Sequence, residues 1–307
     1  MSFSSSVKDD LVRLKRKSAP LRLSELAGLT VCCGSLYVGR GTGAVYTTEA
    51  LPVGKLVSSL ATELYALDAT IELSKQERRR RPLVIVTVTG ADAEKLLLDT
   101  GVLVPLDGGV TLGDGVKDDL VSDAERTRAF LRGAYLGSGS CNNPSRGYHL
   151  EIVARSEALA AGIVRCISEL GLSAKRRRRA DRHVVYVKGD DVSGFLAYLG
   201  ASGAALAFEN VRAEKDFRNY VNRTSNCETA NIGKTVDAAF VQTQAIERLE
   251  RRMELSRLPV PLYEAAMLRL NHPEATLQEL ADRAGIGKSG MNHRLTRIIR
   301  MAEELET

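Results

Sequence analysis

The side chains best suited to bind an outside ligand lie together near the C-terminus, between positions 288 and 297. Ser, Asn and His hydrogen-bond to base edges in the DNA major groove, and Lys and Arg bind guanine or phosphate. No acidic residue occurs from 288 to 300. The pattern predicts a DNA-contacting set, in which Ser289, Asn292 and His293 face base edges. The full set is Lys288, Ser289, Asn292, His293, Arg294 and Arg297. A helical hairpin used for protein contact is the alternative.

Two runs of basic residues form a second candidate DNA surface. One is Arg78, Arg79, Arg80 and Arg81, and the other is Lys175 followed by Arg176, Arg177, Arg178 and Arg179. They lie about 100 residues apart, at equivalent places in two similar stretches of sequence. Lys and Arg bind phosphate without regard to sequence, and that binding weakens with salt. The alternatives are a solvated loop and a surface for protein contact.

The thiols do not suggest a metal or redox site. The five cysteines are Cys32, Cys33, Cys141, Cys166 and Cys227. Their number is odd and no C-x-x-C pair occurs, so neither a disulfide framework nor a zinc ribbon is predicted. Packing as small hydrophobic residues is expected, with a redox or metal role for Cys32–Cys33 as the alternative. No metal and no cofactor are predicted.

The C-terminal candidates are positioned by a helix-turn-helix pattern. Thr276 and Glu279 have the spacing of a capping box at a helix start. Gly285 suits the positive φ of a tight turn, and Ile286 and Met291 supply apolar contacts for an all-α domain. The second helix is predicted to begin near Lys288 or Ser289 and to end at about Glu304.

The first two thirds of the chain contain an internal repeat. The segments Leu26–Ser35 and Leu131–Ser140 are both apolar, rich in small residues and end in Gly-Ser. Each precedes strands, a helix, more strands and a further helix. The strands include valine-rich stretches at 83–88 and 183–188. This order predicts an α+β domain made of two pseudo-symmetric halves.

Leu26–Ser35 resembles the LAGLIDADG motif, and Leu131–Ser140 resembles a more degenerate copy of it. With the helix-turn-helix at its end, the whole chain resembles the WhiA family of bacterial regulators. The resemblance implies that the two motif helices cross closely, because small residues such as Gly28 and Gly133 let their backbones approach.

The resemblance also bears on catalysis. In LAGLIDADG endonucleases the last acidic residue of each motif binds a divalent metal. The matching positions here are Cys33 and Ser138, and neither supplies the carboxylate that a hard cation prefers. The resemblance therefore implies that the nuclease activity is lost and that the protein is not an enzyme. Asp107, Asp114 and Asp118 lie between the repeats, and nothing in their spacing supports a replacement site.

The function implied by the resemblance is sequence-specific DNA binding that regulates transcription in bacterial cell division and sporulation. The implied partners are double-stranded promoter DNA and a protein. That protein is either another transcription regulator, of WhiB type in actinobacterial relatives, or RNA polymerase. Two alternatives stay open: an interaction scaffold that uses the saddle formed by the sheets, and a residual nuclease or maturase.

The composition agrees with this organisation. The 307 residues are 44% hydrophobic and 26% charged, with a net charge of +5, which is typical of a folded protein of about two domains. We expect a cytoplasmic, nucleoid-associated protein that lacks a signal peptide and a membrane span. The predicted divisions are a basic segment 1–22, a LAGLIDADG-like domain 23–210 (repeats about 23–110 and 128–205), a linker 211–238 and a helix-turn-helix domain 239–307.

Overall fold

The structure is a computed structural model that describes residues 2–39, 41–74 and 82–305. The chain forms two compact units, Met1–Glu214 and Lys215–Thr307. Each unit has its own apolar core. No helix in the described part of the chain is long and apolar enough to cross a membrane.

The first half of unit 1 is built on one four-stranded antiparallel sheet. Its strand order is β1-β2-β4-β3. The elements are α1 (Phe3–Val12), α2 (Ala19–Cys33), β1 (Gly34–Val38), β2 (Thr42–Thr48), α3 (Leu51–Tyr65), β3 (Asp68–Ser74), β4 (Leu83–Thr89) and α4 (Ala93–Asp99). The hairpin of β5 (Leu103–Leu106) and β6 (Gly109–Leu112) and a 3-10 turn (Asp118–Val121) lead to the second half.

The second half of unit 1 repeats this plan. Its elements are α5 (Ala124–Ser138), β7 (Gly139–Cys141), β8 (His149–Ala154), α6 (Glu157–Ser168), β9 (Ala174–Arg179), β10 (Arg182–Lys188) and α7 (Asp191–Leu199). The sheet order β7-β8-β10-β9 matches the first sheet strand for strand. The predicted α+β fold with two similar halves is therefore confirmed.

Each sheet has one face against a helix and one face turned away from it. In the first sheet α3 covers the face that carries Val84 and Val86, since a Cβ on Gly54 would lie 2.8 Å from Val84 Cγ1. In the second sheet α6 contacts β8, β9 and β10, and Val185 and Val187 belong to the core. Because side chains alternate along a strand, every second residue points to the opposite side. We call that side of each sheet its outer face.

The motif helices α2 and α5 pack at backbone contact. A Cβ added to Gly28 would overlap the carbonyl oxygen of Phe130 and lie 2.6 Å from the amide nitrogen of Ala134. A Cβ on Gly133 would likewise overlap the carbonyl oxygen of Glu25. The close crossing expected from the small residues is confirmed, because neither glycine has room for a larger side chain.

The remaining helices are α8 (Ser202–Arg252), α9 (Val260–Asn271), α10 (Leu277–Arg283) and α11 (Lys288–Glu304), with a 3-10 turn at Leu255–Arg257. Asparagine and threonine favour turns and helix caps, yet the asparagine-rich stretch 222–231 of the predicted linker lies inside α8. Its backbone hydrogen bonds are made within the helix, and residues 216–234 are all exposed. In unit 2, the core combines the end of α8, which contributes Ile246 and Leu249, with α9, α10 and α11.

Candidate nucleic-acid interface

The start of α10 is fixed by a reciprocal cap. The Thr276 hydroxyl accepts a hydrogen bond from the Glu279 amide at 3.2 Å, and the Glu279 carboxylate accepts one from the Thr276 amide at 2.7 Å. The backbone and side-chain hydrogen bonds from Thr276 lower the pKa of Glu279. The predicted capping box is therefore confirmed. Gly285, with φ of 67°, makes the turn toward α11.

α11 presents one face to the core and another to solvent. Met291, Leu295 and Ile298 are buried, and Ala302 continues the same face. Since a helix turns about 100° per residue, Ser289 and His293 lie on the opposite side. The structure places five of the six predicted contact residues in exposed positions; they are Lys288, Ser289, Asn292, His293 and Arg297.

The sixth residue, Arg294, is turned toward α9. Its Nη1 lies 3.6 Å from Glu264 Oε2 and 3.4 Å from the carbonyl oxygen of Pro261, and its side chain is 22% exposed. This arginine holds α11 against α9 instead of joining the exposed set. To bind phosphate or guanine as predicted, Arg294 would have to give up its ion pair with Glu264.

Two residues outside the predicted set continue the exposed face. Thr296 and Arg300 follow Ser289 by seven and eleven positions, which places them on the same side of the helix. Arg300 is exposed, and the Thr296 hydroxyl donates to the carbonyl oxygen of Asn292 at 2.8 Å. The helical period was the signal that could have found them.

The second basic run lies in a strand, which divides its arginines between two faces. β9 pairs with β10 so that Arg177 is opposite Val184 and Arg179 is opposite Arg182. Arg177 and Arg179 therefore lie on the outer face, while Arg176 and Arg178 point to the side of α6. Arg176 Nη1 is 2.6 Å from Glu157 Oε1 on that helix.

A carboxylate organises the basic residues of this outer face. Glu151 Oε1 lies 2.7 Å from His149 Nε2 and 2.8 Å from Arg177 Nη2. Burial acts to raise the pKa of Glu151, but hydrogen bonds and charges from His149 and Arg177 outweigh it, so this pKa is lowered. The guanidinium of Arg177 also lies 5.7 Å from the ring centroid of Tyr186. The result is a positively charged surface of defined geometry.

The outer face of the first sheet has a different character. Its strands, residues 34–38, 42–48, 68–74 and 83–89, carry no Lys or Arg, and Asp68 and Glu72 lie on the outer face of β3. The other basic run, Arg78–Arg81, lies outside the described residues. The two halves thus share a fold but differ in the charge of their described strands.

The ends of the motif helices do not offer the ligands of a divalent metal. The Ser138 hydroxyl donates to the carbonyl oxygen of Val153 at 2.7 Å. Burial raises the pKa of the Cys32 and Cys33 thiols to about 12, so both are protonated at neutral pH. Lys8 of α1 also lies here: its Nζ donates to the carbonyl oxygen of Leu136 at 3.0 Å.

This donor set does not fit Mg²⁺, which takes oxygen ligands that include carboxylates. A thiol is a soft ligand, and the Lys8 amine, whose pKa is lowered by burial, is not an oxygen ligand. Within residues 2–39, 41–74 and 82–305, no group of three or more His, Cys, Asp or Glu side chains is arranged to hold a metal ion.

Comparison with known proteins covers both units. A family model of the WhiA LAGLIDADG-like domain matches residues 127–218, and a model of the WhiA C-terminal HTH domain matches residues 221–302. The chain is 37% identical, over 100% of its length and 99% of the relative's, to the probable cell division protein WhiA of Clostridium perfringens. The corresponding Desulfitobacterium hafniense protein is 40% identical over 100% of this chain and 97% of its own.

Solved structures give the same assignment. The crystal structure of full-length WhiA from Thermotoga maritima matches with a TM-score of 0.63 and 25% identity, covering 99% of each chain. A crystal structure of an N-terminal LAGLIDADG domain of WhiA has the same fold, with a TM-score of 0.51, 21% identity and coverage of 65% of this chain and 92% of its own. The chain therefore belongs to the WhiA family, and it consists of a LAGLIDADG-like domain and a C-terminal helix-turn-helix domain.

Proposed function

We propose that this protein is a sequence-specific DNA-binding regulator of transcription that acts in bacterial cell division or sporulation. The observation that carries the proposal is the exposed face of α11. It presents Ser289, Asn292 and His293 with no acidic residue between 288 and 300, on a helix whose other side is fixed in the core. The names of the curated relatives support the link to cell division.

The proposed binding mode has two parts. The N-terminal half of α11 enters the major groove and reads base edges, as recognition helices of this motif do. The outer face of the second sheet, with Arg177 and Arg179, contacts phosphates and adds affinity without sequence preference. Cleavage is not part of this mode, because Cys33 and Ser138 replace the acidic residues and the Lys8 amine, which is not an oxygen ligand, lies at the end of α5.

The test uses the full chain and a library of randomised duplexes. We expect repeated selection to enrich one sequence. We expect Asn292→Ala to weaken binding to that sequence by about 1–3 kcal/mol and to relax preference at one base position. The control is Arg251→Ala, which removes a positive charge from an exposed part of α8. Failure to enrich any sequence, or Mg²⁺-dependent nicking of the selected duplex, would contradict the proposal.

A second candidate function is protein contact through the first sheet. The absence of Lys and Arg from its described strands, together with Asp68 and Glu72 on its outer face, suits a basic protein surface better than DNA. Another transcription regulator and RNA polymerase are the proposed partners. Substituting Asp68 and Glu72 by Lys should then weaken capture of the purified partner and leave duplex binding unchanged.

A further inference from the structure

A cavity of about 520 Å³ lies beside the start of α11, within unit 2. Its lining combines four helices, and its polar side chains include Asn231 and Lys234 from α8, Arg269 from α9 and Lys288 from α11. Three of these four side chains are basic, and none of the described residues that line the cavity is acidic. Such a concentration of positive charge favours an anionic ligand.

Arg269 is the buried member of this set. It is only 1% exposed, and burial lowers its pKa. Its Nε donates to Gln242 Oε1 at 2.9 Å, and its Nη1 donates to the carbonyl oxygen of Ala275 at 2.7 Å. Among the residues that the structure describes, no carboxylate pairs with Arg269, and its Nη2 makes no hydrogen bond.

A buried charge with only neutral acceptors is costly, and an ionic partner reduces that cost. The protein itself does not supply such a partner in the part of the chain described. The remaining donor, Nη2, and the position of Arg269 in the cavity wall point to an anion from outside the chain.

The other two basic residues, Lys234 and Lys288, are exposed and come from different helices. Lys234 lies three positions after Asn231, so both are on the same face of α8. Lys288 is the first residue of α11 and directly precedes Ser289, a predicted base contact. An anion held between Lys234 and Lys288 would therefore lie next to the part of α11 that is proposed to read bases.

We propose that this cavity binds a phosphate group of the DNA backbone next to the bases read by α11, through Lys234, Arg269 and Lys288, with Asn231 as a further donor. The proposal rests on the proposed function, because it takes DNA to be the ligand of α11. It assigns a role to the asparagine-rich part of α8, which lies outside the helix-turn-helix: this stretch extends the DNA contact beyond the two helices of the motif.

The experiment measures binding of the full chain to its selected duplex by fluorescence anisotropy between 50 and 200 mM salt. Lys234→Ala should weaken binding equally for selected and mismatched duplexes. One phosphate contact contributes about 0.9 to the slope of log affinity against log salt. Between 50 and 200 mM salt, the fall in affinity of the variant should therefore be smaller than that of the wild type by a factor of about 3.5. Arg251→Ala, on the same helix and outside the cavity, should keep the wild-type slope.

A second measurement identifies the phosphate. Duplexes in which one phosphate at a time is replaced by a neutral methylphosphonate should show one position at which wild type and Lys234→Ala bind equally. Arg269→Lys keeps the positive charge but loses the planar set of guanidinium N–H donors. It should weaken binding to unmodified DNA, and it should weaken binding to that modified duplex by a smaller factor. Circular dichroism and the melting temperature establish that each variant is folded.

The outcomes separate this proposal from the proposed function. A wild type that selects a sequence, together with a Lys234→Ala variant of unchanged salt slope, overturns the cavity assignment and leaves the regulator proposal intact. A wild type that binds no duplex overturns both. Binding of inorganic phosphate, competed by no duplex, would identify a free anion as the ligand and also overturn the assignment to DNA.

Discussion

Glu25 of α2 and Arg132 of α5 form an ion pair across the crossing of the two motif helices, with 3.0 Å between Oε2 and Nη2. Glu25 is completely buried, and Arg16 also binds it, with both Nε and Nη2 at 2.8 Å. One carboxylate thus compensates two arginines and joins the two halves of unit 1. This polar contact lies at the crossing where Gly28 and Gly133 allow the two helix backbones to touch.

Glu25→Gln should therefore destabilise unit 1 strongly. The variant keeps the size of the side chain but leaves Arg16 and Arg132 buried without a countercharge, a loss of about 3–5 kcal/mol. Denaturant unfolding of the full chain, followed by circular dichroism, measures it. Glu63→Gln is the matched control, because Glu63 pairs with Arg22 at 3.4 Å in a solvent-exposed position. Similar stabilities for the two variants would refute this role for Glu25.

Gly28→Ala should also destabilise the helix crossing. The added methyl group would meet backbone atoms of Phe130 and Ala134, which cannot move without separating α2 from α5. We expect a loss of about 1–3 kcal/mol or more. Gly109→Ala is the control, since a Cβ there meets nothing within 4 Å and its φ is not positive. An equal effect at both positions would show that close approach at Gly28 does not matter.

The alternation of arginines in β9 predicts a difference between neighbours. Arg179→Ala removes a charge from the outer face of the second sheet, and Arg178→Ala removes one from the side of α6. If the outer face binds phosphate, Arg179→Ala should lower the salt slope of DNA binding by about 0.9 and Arg178→Ala should leave it unchanged. Equal slopes for both variants and the wild type would exclude this sheet from the DNA contact.

The thiols should react with very different rates in the folded protein. Burial raises the pKa of Cys32, Cys33 and Cys141 to about 12, so the reactive thiolate is scarce at pH 8, whereas Cys227 is exposed on α8. Mass spectrometry after brief labelling with a maleimide should find the modification at Cys227. The variant Cys227→Ser should then label slowly until denaturant is added. Rapid labelling of Cys33 in the native state would contradict the packing described here.

The capping box makes the stability of unit 2 depend on pH in a defined direction. The pKa of Glu279 is lowered from 4.5 in the folded state, so its stabilising effect is complete above that value and is lost as the pH falls through the lowered pKa. Glu279→Gln should therefore melt at a lower temperature than the wild type at pH 7. The difference should shrink below about pH 4.5. A difference that grows on acidification would contradict the assigned hydrogen bonds.

Local patterns were sufficient to predict the helix-turn-helix. Thr276 and Glu279 act within one helical turn and Gly285 acts within the tight turn that follows α10, so their types and spacing determine the cap and the turn that the structure shows. The two repeated halves were predictable for a similar reason. A valine-rich strand buries one face of its sheet, and a helix rich in small residues buries the side along which another helix packs. The opposite orientations of Arg178 and Arg179 could be deduced only once the basic run was known to form a strand. In a strand, consecutive side chains point to opposite faces of the sheet.

Other parts depend on contacts that no local pattern contains. Asn222, Asn226 and Asn231 favour turns by their own preference, yet α8 continues through them. Phe240 is apolar but 66% exposed, because it lies on the side of α8 opposite to the buried Gln242, Ile246 and Leu249. The cavity of Lys234, Arg269 and Lys288 joins residues far apart in sequence, so their spacing gave no signal.

Lys8 of α1, whose Nζ hydrogen-bonds to the end of α5, has a consequence for the ends of the motif helices. A carboxylate introduced at position 33 would have this amine as a neighbour and would favour its protonated form, so the two groups would pair before the carboxylate could hold a cation. A metal site at this crossing would therefore require changes in α1, α2 and α5 together. The group that closes the site to a cation lies in a helix outside both motifs.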